Sequence, residues 1–456
     1  MRCTNRRKAV RPFSLSALLC SLILLSFVLL AAGCAPTNLP ALRNNLDEFP
    51  QEKTTIVFWN ENAAKDRTNY YHELIEKFEE QNPDIHVEYV GLPKKAARLK
   101  LNTAIATGET PDVSGMQSAW IAEFCNQGVL MDLDPWFQQS GVKADILPAV
   151  IEANRSLAPD GGLYQLPNTM SAETLWYRAD WFQQAGLGVP RTWDDFFRAA
   201  EVLNHPDQEQ YGFTIRGGDG AGLQLMRAMF AYSGYTDFFD ADGKCRIDDP
   251  VHIAFVKQYL GLYRRNTPMG DITNGYQEMV ESFDNGTAAM MQHNIGSYGS
   301  QVRAMQPEQF AMAMLPRSRS GTIVQEANNV DGYSVFKGTK HPDAAWRFVQ
   351  FLCSAETQSW WNERIGQMPV SRKALDETWV SERQHLQVVR DAVESPEFHL
   401  YEPPMYLPDY RKIVDGADSR IEQVMLGNLT VEEFLHGWAD AFNQAENTYR
   451  AEHGGK

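Results

Sequence analysis

Between Thr54 and Val113 the chain alternates short β-branched runs with helical stretches, and this rhythm restricts the fold more than any other feature of the sequence. Thr55-Ile56-Val57-Phe58-Trp59 is the apolar, β-branched run that a buried parallel strand requires. Leu74, Ile75 and Phe78 then recur at helical spacing before Pro83. Ile85 to Val90 alternates as a second strand, Lys95 to Thr107 reads as a helix, and Gly108-Glu109-Thr110-Pro111 breaks it before a short third strand at Asp112-Val113. Strands and helices alternating at these lengths predict an α/β fold with a mostly parallel sheet flanked by helices on both faces.

Upstream, Arg2, Arg6, Arg7, Lys8 and Arg11 precede an uncharged apolar block from Phe13 to Ala32 that runs into Gly33-Cys34. This is the order of an export signal, and it resembles a bacterial lipoprotein signal over residues 1–33 with Cys34 as the lipidated residue. A retained membrane helix and an ordinary secretory signal are the alternatives, since the block is about as long as the ~20 residues a bilayer requires. Residues 34–52 contain Pro and Asn without periodicity and read as a tether. The whole sequence carries a formal net charge of −16, and the remainder is more acidic still once the basic stretch before Cys34 is set apart. That balance disfavours nucleic acid as a partner. It also disfavours an anionic membrane surface, so attachment would rest on acyl chains at Cys34 rather than on a basic patch. A chain of this length exceeds one typical core, so two lobes are expected. Beyond Cys34 stand Cys125, Cys245 and Cys353, far apart and odd in number, with no disulfide scaffold or metal motif.

Further blocks carry a resemblance over nearly the whole exported part. Gly108 to Val113 is followed by Trp120, Glu123, Phe124, Gly128, Leu130, Asp132 and Leu133; then come Gly162-Leu163-Tyr164-Gln165-Leu166-Pro167, Leu175-Trp176-Tyr177 and Thr192-Trp193-Asp194-Asp195-Phe196. Phe283, Gly286 and Ala288-Ala289-Met290 precede Gly332-Tyr333-Ser334-Val335-Phe336 and Pro342-Asp343-Ala344-Ala345-Trp346. In this order the blocks resemble the extracellular solute-binding proteins of carbohydrate ABC importers, the group that includes maltose-binding protein; Arg178 departs from the asparagine usual after the tyrosine. The resemblance implies a type II periplasmic-binding-protein fold of two lobes joined by a hinge, 51–166 plus 325–372 and 167–324 plus 373–456. It also implies a monomer that holds a sugar between the lobes and passes it to permease subunits, without cofactor or catalysis.

A sugar offers hydroxyls that need donors and acceptors and flat C–H faces that stack on rings, so its site wants amides, carboxylates and aromatics together. Open α/β sheets bind at the carboxyl ends of their strands, which here carry Asn60 and Glu61 after the first strand and Gln117, Ser118 and Trp120 after the third. Trp120 reads equally as core. Ser171 lies four residues past the hinge-entry Pro167, where the family commonly offers a polar contact; a hinge hydrogen bond is the other reading. Arg216 opens Gly217-Gly218-Asp219-Gly220, where glycines would let a backbone approach a ligand and Arg216 could grip hydroxyls or a carboxylate. His293, Asn294 and Tyr298 follow the Ala288 to Met291 strand, Tyr298 standing where the family often places a stacking aromatic. Asp331 precedes the returning strand, and Tyr406 maps near another stacking position within a proline-rich loop.

Two further patterns are read structurally. Asp240-Ala241-Asp242-Gly243 lacks the spacing and distal Glu of a calcium loop and predicts a hairpin turn. Thr430 and Glu433 predict a capping box for a last helix whose Phe434, Leu435, Trp438 and Phe442 form a core stripe. A glycoside hydrolase would need two separated carboxylates, for which Glu61 and Asp331 are the pair to test, and a peptide, polyamine or glycerophosphodiester remains open as solute.

Overall fold

The computed structural model describes residues 53–453. The expected signal, Cys34 and the tether lie outside the described residues. Among the described residues there are eleven strands: β1 Thr54–Asn60, β2 Ile85–Gly91, β3 Val113–Gln117, β4 Leu166–Met170, β5 Glu173–Tyr177, β6 Met290–Asn294, β7 Ala311–Met314, β8 Ile323–Glu326, β9 Val330–Val335, β10 Met368–Pro369 and β11 Phe398–Tyr401. They form a two-lobed α/β molecule. One sheet has the order β10-β4-β9-β3-β1-β2, another β6-β5-β7, and β8 pairs with β11.

The predicted β1–helix–β2–helix–β3 unit is present, with helices Lys65–Gln81 and Lys94–Thr107 between the strands. β1 pairs parallel with both β2 and β3. The expectation of mostly parallel sheets fails beyond that unit. β9 runs antiparallel between β3 and β4, because the chain re-enters this sheet from the other lobe. β5 pairs antiparallel with both β6 and β7, and parallel order there is confined to bridges Tyr211–Ala288 and Thr214–Met291.

Inward positions of β1 supply the first core. Ile56 and Phe58 are fully buried, and Phe58 meets Tyr71 and Phe348 edge-on at 5.1 and 5.3 Å. Burying a side chain of this size contributes about 1.5–3 kcal/mol. Leu74 and Phe78 complete the helical face read from the sequence. A second, larger core runs from Leu92, Met116 and Trp120 through Leu175 and Phe213 to Phe434 and Trp438.

Only Ser171 and Ala172 separate β4 from β5, and Ala327 to Asn329 separate β8 from β9. These two crossings are tied by the Ser171 amide donating to the Asn329 carbonyl at 2.9 Å. Beside them Arg227 donates from Nη1 to Glu173 Oε2 at 3.0 Å and from Nε to Glu326 Oε2 at 2.6 Å, all three side chains being largely buried. Gly332 permits this packing, since a Cβ there would stand 2.3 Å from the Leu166 carbonyl oxygen.

Local chemistry closes the elements as the sequence predicts. Thr192 and Asp195 form a reciprocal capping box at helix Trp193–Val202, and Thr430 with Glu433 does the same before Val431–His453. Phe434, Leu435, Trp438 and Phe442 are buried. Asp240 accepts from the amides of Asp242 and Lys244, and Gly243 takes φ +78°, so the acidic run is a tight turn between Phe239 and Cys245. Arg178 is held by Asp180 and lies 4.8 Å from the Trp181 ring. Among the described residues no helix is long and apolar enough to cross a membrane.

Candidate functional site

Glu61 and Asp331 line one cavity, together with Arg67, Tyr71, Asn168, Thr169, Gly332, Tyr333 and Trp361. Glu61 follows β1 directly and is 7 % exposed, and its Oε2 has no hydrogen-bond partner. The space for it comes from β3, where a Cβ on Gly115 would stand 1.8 Å from Oε2. Loss of water, with the Asp331 charge second, pushes the Glu61 carboxyl up to about 7. Burial also raises Asp331, against the pull of Lys94 and Arg67. Asp331 is paired in register with Gln117, which places the half-buried Gln117 beside it.

A second group converges on Tyr276, the first residue of helix Tyr276–Asp284. Lys94, after β2, brings its Nζ to 4.9 Å from the Tyr276 ring, and Arg216 brings its Cζ to 5.7 Å. His293 is fully buried, meets the same ring at 4.1 Å, and leaves Nε2 without a partner. Asn294 accepts the Tyr276 hydroxyl at 3.5 Å while its Oδ1 also accepts the Gly296 amide. Lys94 keeps an open path to solvent, yet the surrounding protein lowers its ammonium to about 8, with Asp331 opposing the shift. Burial likewise lowers Arg216, and it holds His293 well below its usual range, Arg216 and Lys94 adding to that effect. Burial raises the Tyr276 hydroxyl, with Arg67 and Arg216 pulling it back.

The glycines after Arg216 meet backbone in this structure. A Cβ on Gly217 would stand 2.6 Å from the Asp271 carbonyl oxygen and one on Gly218 2.3 Å from that of Thr273, so the run lets two loops touch. The amides of Gly220 and Gly222, at the start of helix Ala221–Ser233, are taken by Asp418 at 2.8 Å each.

Other expected contacts are committed elsewhere. The Asn60 amide donates to the Tyr89 hydroxyl at 2.9 Å, and its Oδ1 accepts the Asn62 amide. Ser118 donates to Gln165 and to the Val330 carbonyl, both at 3.0 Å. Trp120 is 4 % exposed within the large core. Tyr298 stacks on His385 at 3.8 Å, and Tyr406 donates to Glu446 at 2.6 Å beside Tyr449. None of these five lines the cavity. Ser171 leaves its buried Oγ unpaired at the crossing. Sequence reasoning passed over Arg67, Lys94 and Tyr276. Lys94 stands just past the carboxyl end of β2, so the strand-end rule that found Glu61 reaches it too.

Residues 64–359 match the family described as bacterial extracellular solute-binding protein. A mannitol-binding protein of Pseudomonas aeruginosa is 31% identical over 226 residues, 48% of this chain and 50% of its own length. A multiple sugar-binding protein of Streptococcus mutans is 23% identical over 348 residues, 74% of this chain and 79% of its own. An ABC transporter solute-binding protein from Thermotoga lettingae, solved with α-D-tagatose, superimposes with a TM-score of 0.75 at 21% identity, covering 86% of this chain and all of its own.

Proposed function

The chain belongs to the bacterial extracellular solute-binding protein family, and from that premise we propose that it captures a sugar or oligosaccharide between its lobes and delivers it to an ABC permease. The observation that carries this reading is the convergence on Tyr276 of Lys94, from the β1–β2–β3 side, and Arg216, from the β5–β6 side. Arg216 and His293 leave unpaired polar atoms beside Tyr276 and Glu61 leaves another in the cavity with Asp331, and such atoms are stabilised by a polar solute that fills their vacant bonds. The relatives bear on the solute class through what they are named for, mannitol, multiple sugars and tagatose. We place the lobe boundaries at the two crossings, Ser171–Ala172 and Ala327–Asn329, a few residues beyond the bounds 166 and 324 expected from the sequence, and closure about these crossings would exclude water from the solute. Cys34 is the proposed lipid attachment, keeping a monomeric receptor at the outer face of the membrane with 34–52 as its leash. The protein binds and does not turn over. Calorimetry with a broad glycan panel, followed by product analysis, tests this: binding with the glycan recovered intact is expected. A panel without binding would end the sugar reading, and cleaved glycan would move Glu61 and Asp331 into catalysis.

A further inference from the structure

We propose that the solute carries an anionic group, a carboxylate or phosphate, held between the Lys94 ammonium and the Arg216 guanidinium; this rests on the sugar reading above. Lys94 and Arg216 face the same Tyr276 ring at 4.9 and 5.7 Å, Arg67 lines the cavity with Asp331, and none of the three has a carboxylate within 4.0 Å among the described residues. Arg216 also leaves its Nε buried without an acceptor. The Arg216 Nε, shut off from water and without an acceptor, is costly to keep, so with no anion beside these cations the site is built for a charge that arrives with the ligand.

Most acids near Arg216 are committed elsewhere; Asp219, on the same loop, is exposed and stands beyond 4.0 Å of it. Glu173 is taken by Arg227, Gln224 and Gln292. Asp271 accepts from Thr214, Asn274 and the Ile215 amide, and Asp418 caps Gly220 and Gly222. On the other side Glu61 and Asp331 repel one another, and their burial weakens them as counter-ions. They are better suited to accept hydroxyl hydrogens from the rest of the solute.

Helix placement supports the same reading. Lys94 is the first residue of Lys94–Thr107, and Arg67 lies in the first turn of Lys65–Gln81. Both cations sit at the positive end of a helix dipole, where they work against helix stability. The cluster stands out in a chain whose formal net charge is −16, so it is not a by-product of general basicity.

The test is calorimetry with matched pairs: glucuronate and glucose 6-phosphate each beside glucose, and digalacturonate beside galactobiose. At least one acid is expected to bind tenfold or more tighter than its neutral partner, and the uronate and phosphate arms tell the two anions apart. Added salt should reduce the affinity for that acid and leave a neutral sugar's affinity unchanged. Lys94→Gln, at a position open to solvent, and Arg216→Gln should each remove most of the preference without lowering the melting temperature. Neutral partners binding as tightly as the acids, or more tightly, would overturn the anionic group and leave the sugar reading standing. No binding by acid or neutral sugar would remove the sugar reading itself.

Discussion

Glu61 concentrates the cost of the site in one side chain. Its carboxyl is raised from 4.5 to about 7, so the folded state holds this proton more tightly than the unfolded chain. Below about pH 4.5 both states are protonated and nothing is lost; between about 4.5 and 7 the unfolded chain ionises while the folded one keeps its proton, so stability falls across that window and levels off once the buried carboxylate has ionised as well. At roughly 1.4 kcal/mol per pKa unit the loss approaches about 3 kcal/mol. Glu61→Gln should therefore match the wild type in denaturant melts at pH 4 and exceed it at pH 8.5; a gap independent of pH would show that ionisation is not the cause. Gly115 is the companion residue. A methyl group there collides with the far end of Glu61 rather than with backbone, so Gly115→Ala should displace the carboxylate and cost about 1–3 kcal/mol. Combining it with Glu61→Ala should restore most of that stability, and additive losses would mean the two positions do not meet.

At the scale of elements, the parts written in local chemistry were legible and the parts decided by long-range return of the chain were not. Thr192-Trp193-Asp194-Asp195 announces a capped helix, and the Thr192 hydroxyl does accept the Asp195 amide at 3.2 Å while Asp195 accepts the Thr192 amide at 3.0 Å. Thr192→Ala should cost about 1 kcal/mol, read as a lowered denaturation midpoint with unchanged slope; a change below a few tenths would assign the helix start to Trp193 packing. β1 to β3 were likewise readable from period and turn signals. The antiparallel β9 was not, because Val330–Val335 has the same apolar character whichever way it runs, and its direction depends on where β8 leaves it. Glu61 and Asp331 were found as polar residues at strand boundaries. Tyr276 was not, since an aromatic opening a helix looks like core until Lys94 and Arg216 are seen beside it. The partners of Tyr298 and Tyr406 were not legible either: His385 and Glu446, far along the chain, meet these rings in this structure.

For the whole molecule the decisive feature is that the lobes are joined through buried charge as well as backbone. Arg227 stands between Glu173, which opens β5 after the first crossing, and Glu326, which ends β8 before the second. Two carboxylates this close to the hinge are tolerable only with the guanidinium between them; Glu326 is raised by burial and drawn back by Arg227. Removing Arg227 leaves both unpaired, and Arg227→Met should cost about 3–5 kcal/mol near neutral pH. Part of that loss should return on acidification, because protonating the two acids removes the uncompensated charge, whereas a purely steric loss would not respond to pH. Replacing all three with Met and two Gln should recover most of the stability, because the ion triad is expensive to desolvate. The same triple variant separates stability from hinge function. If the triad also fixes the angle at which the lobes approach, solute affinity will stay reduced after the melting temperature has recovered; if affinity recovers in step, the triad serves only to neutralise the buried charge at the crossings.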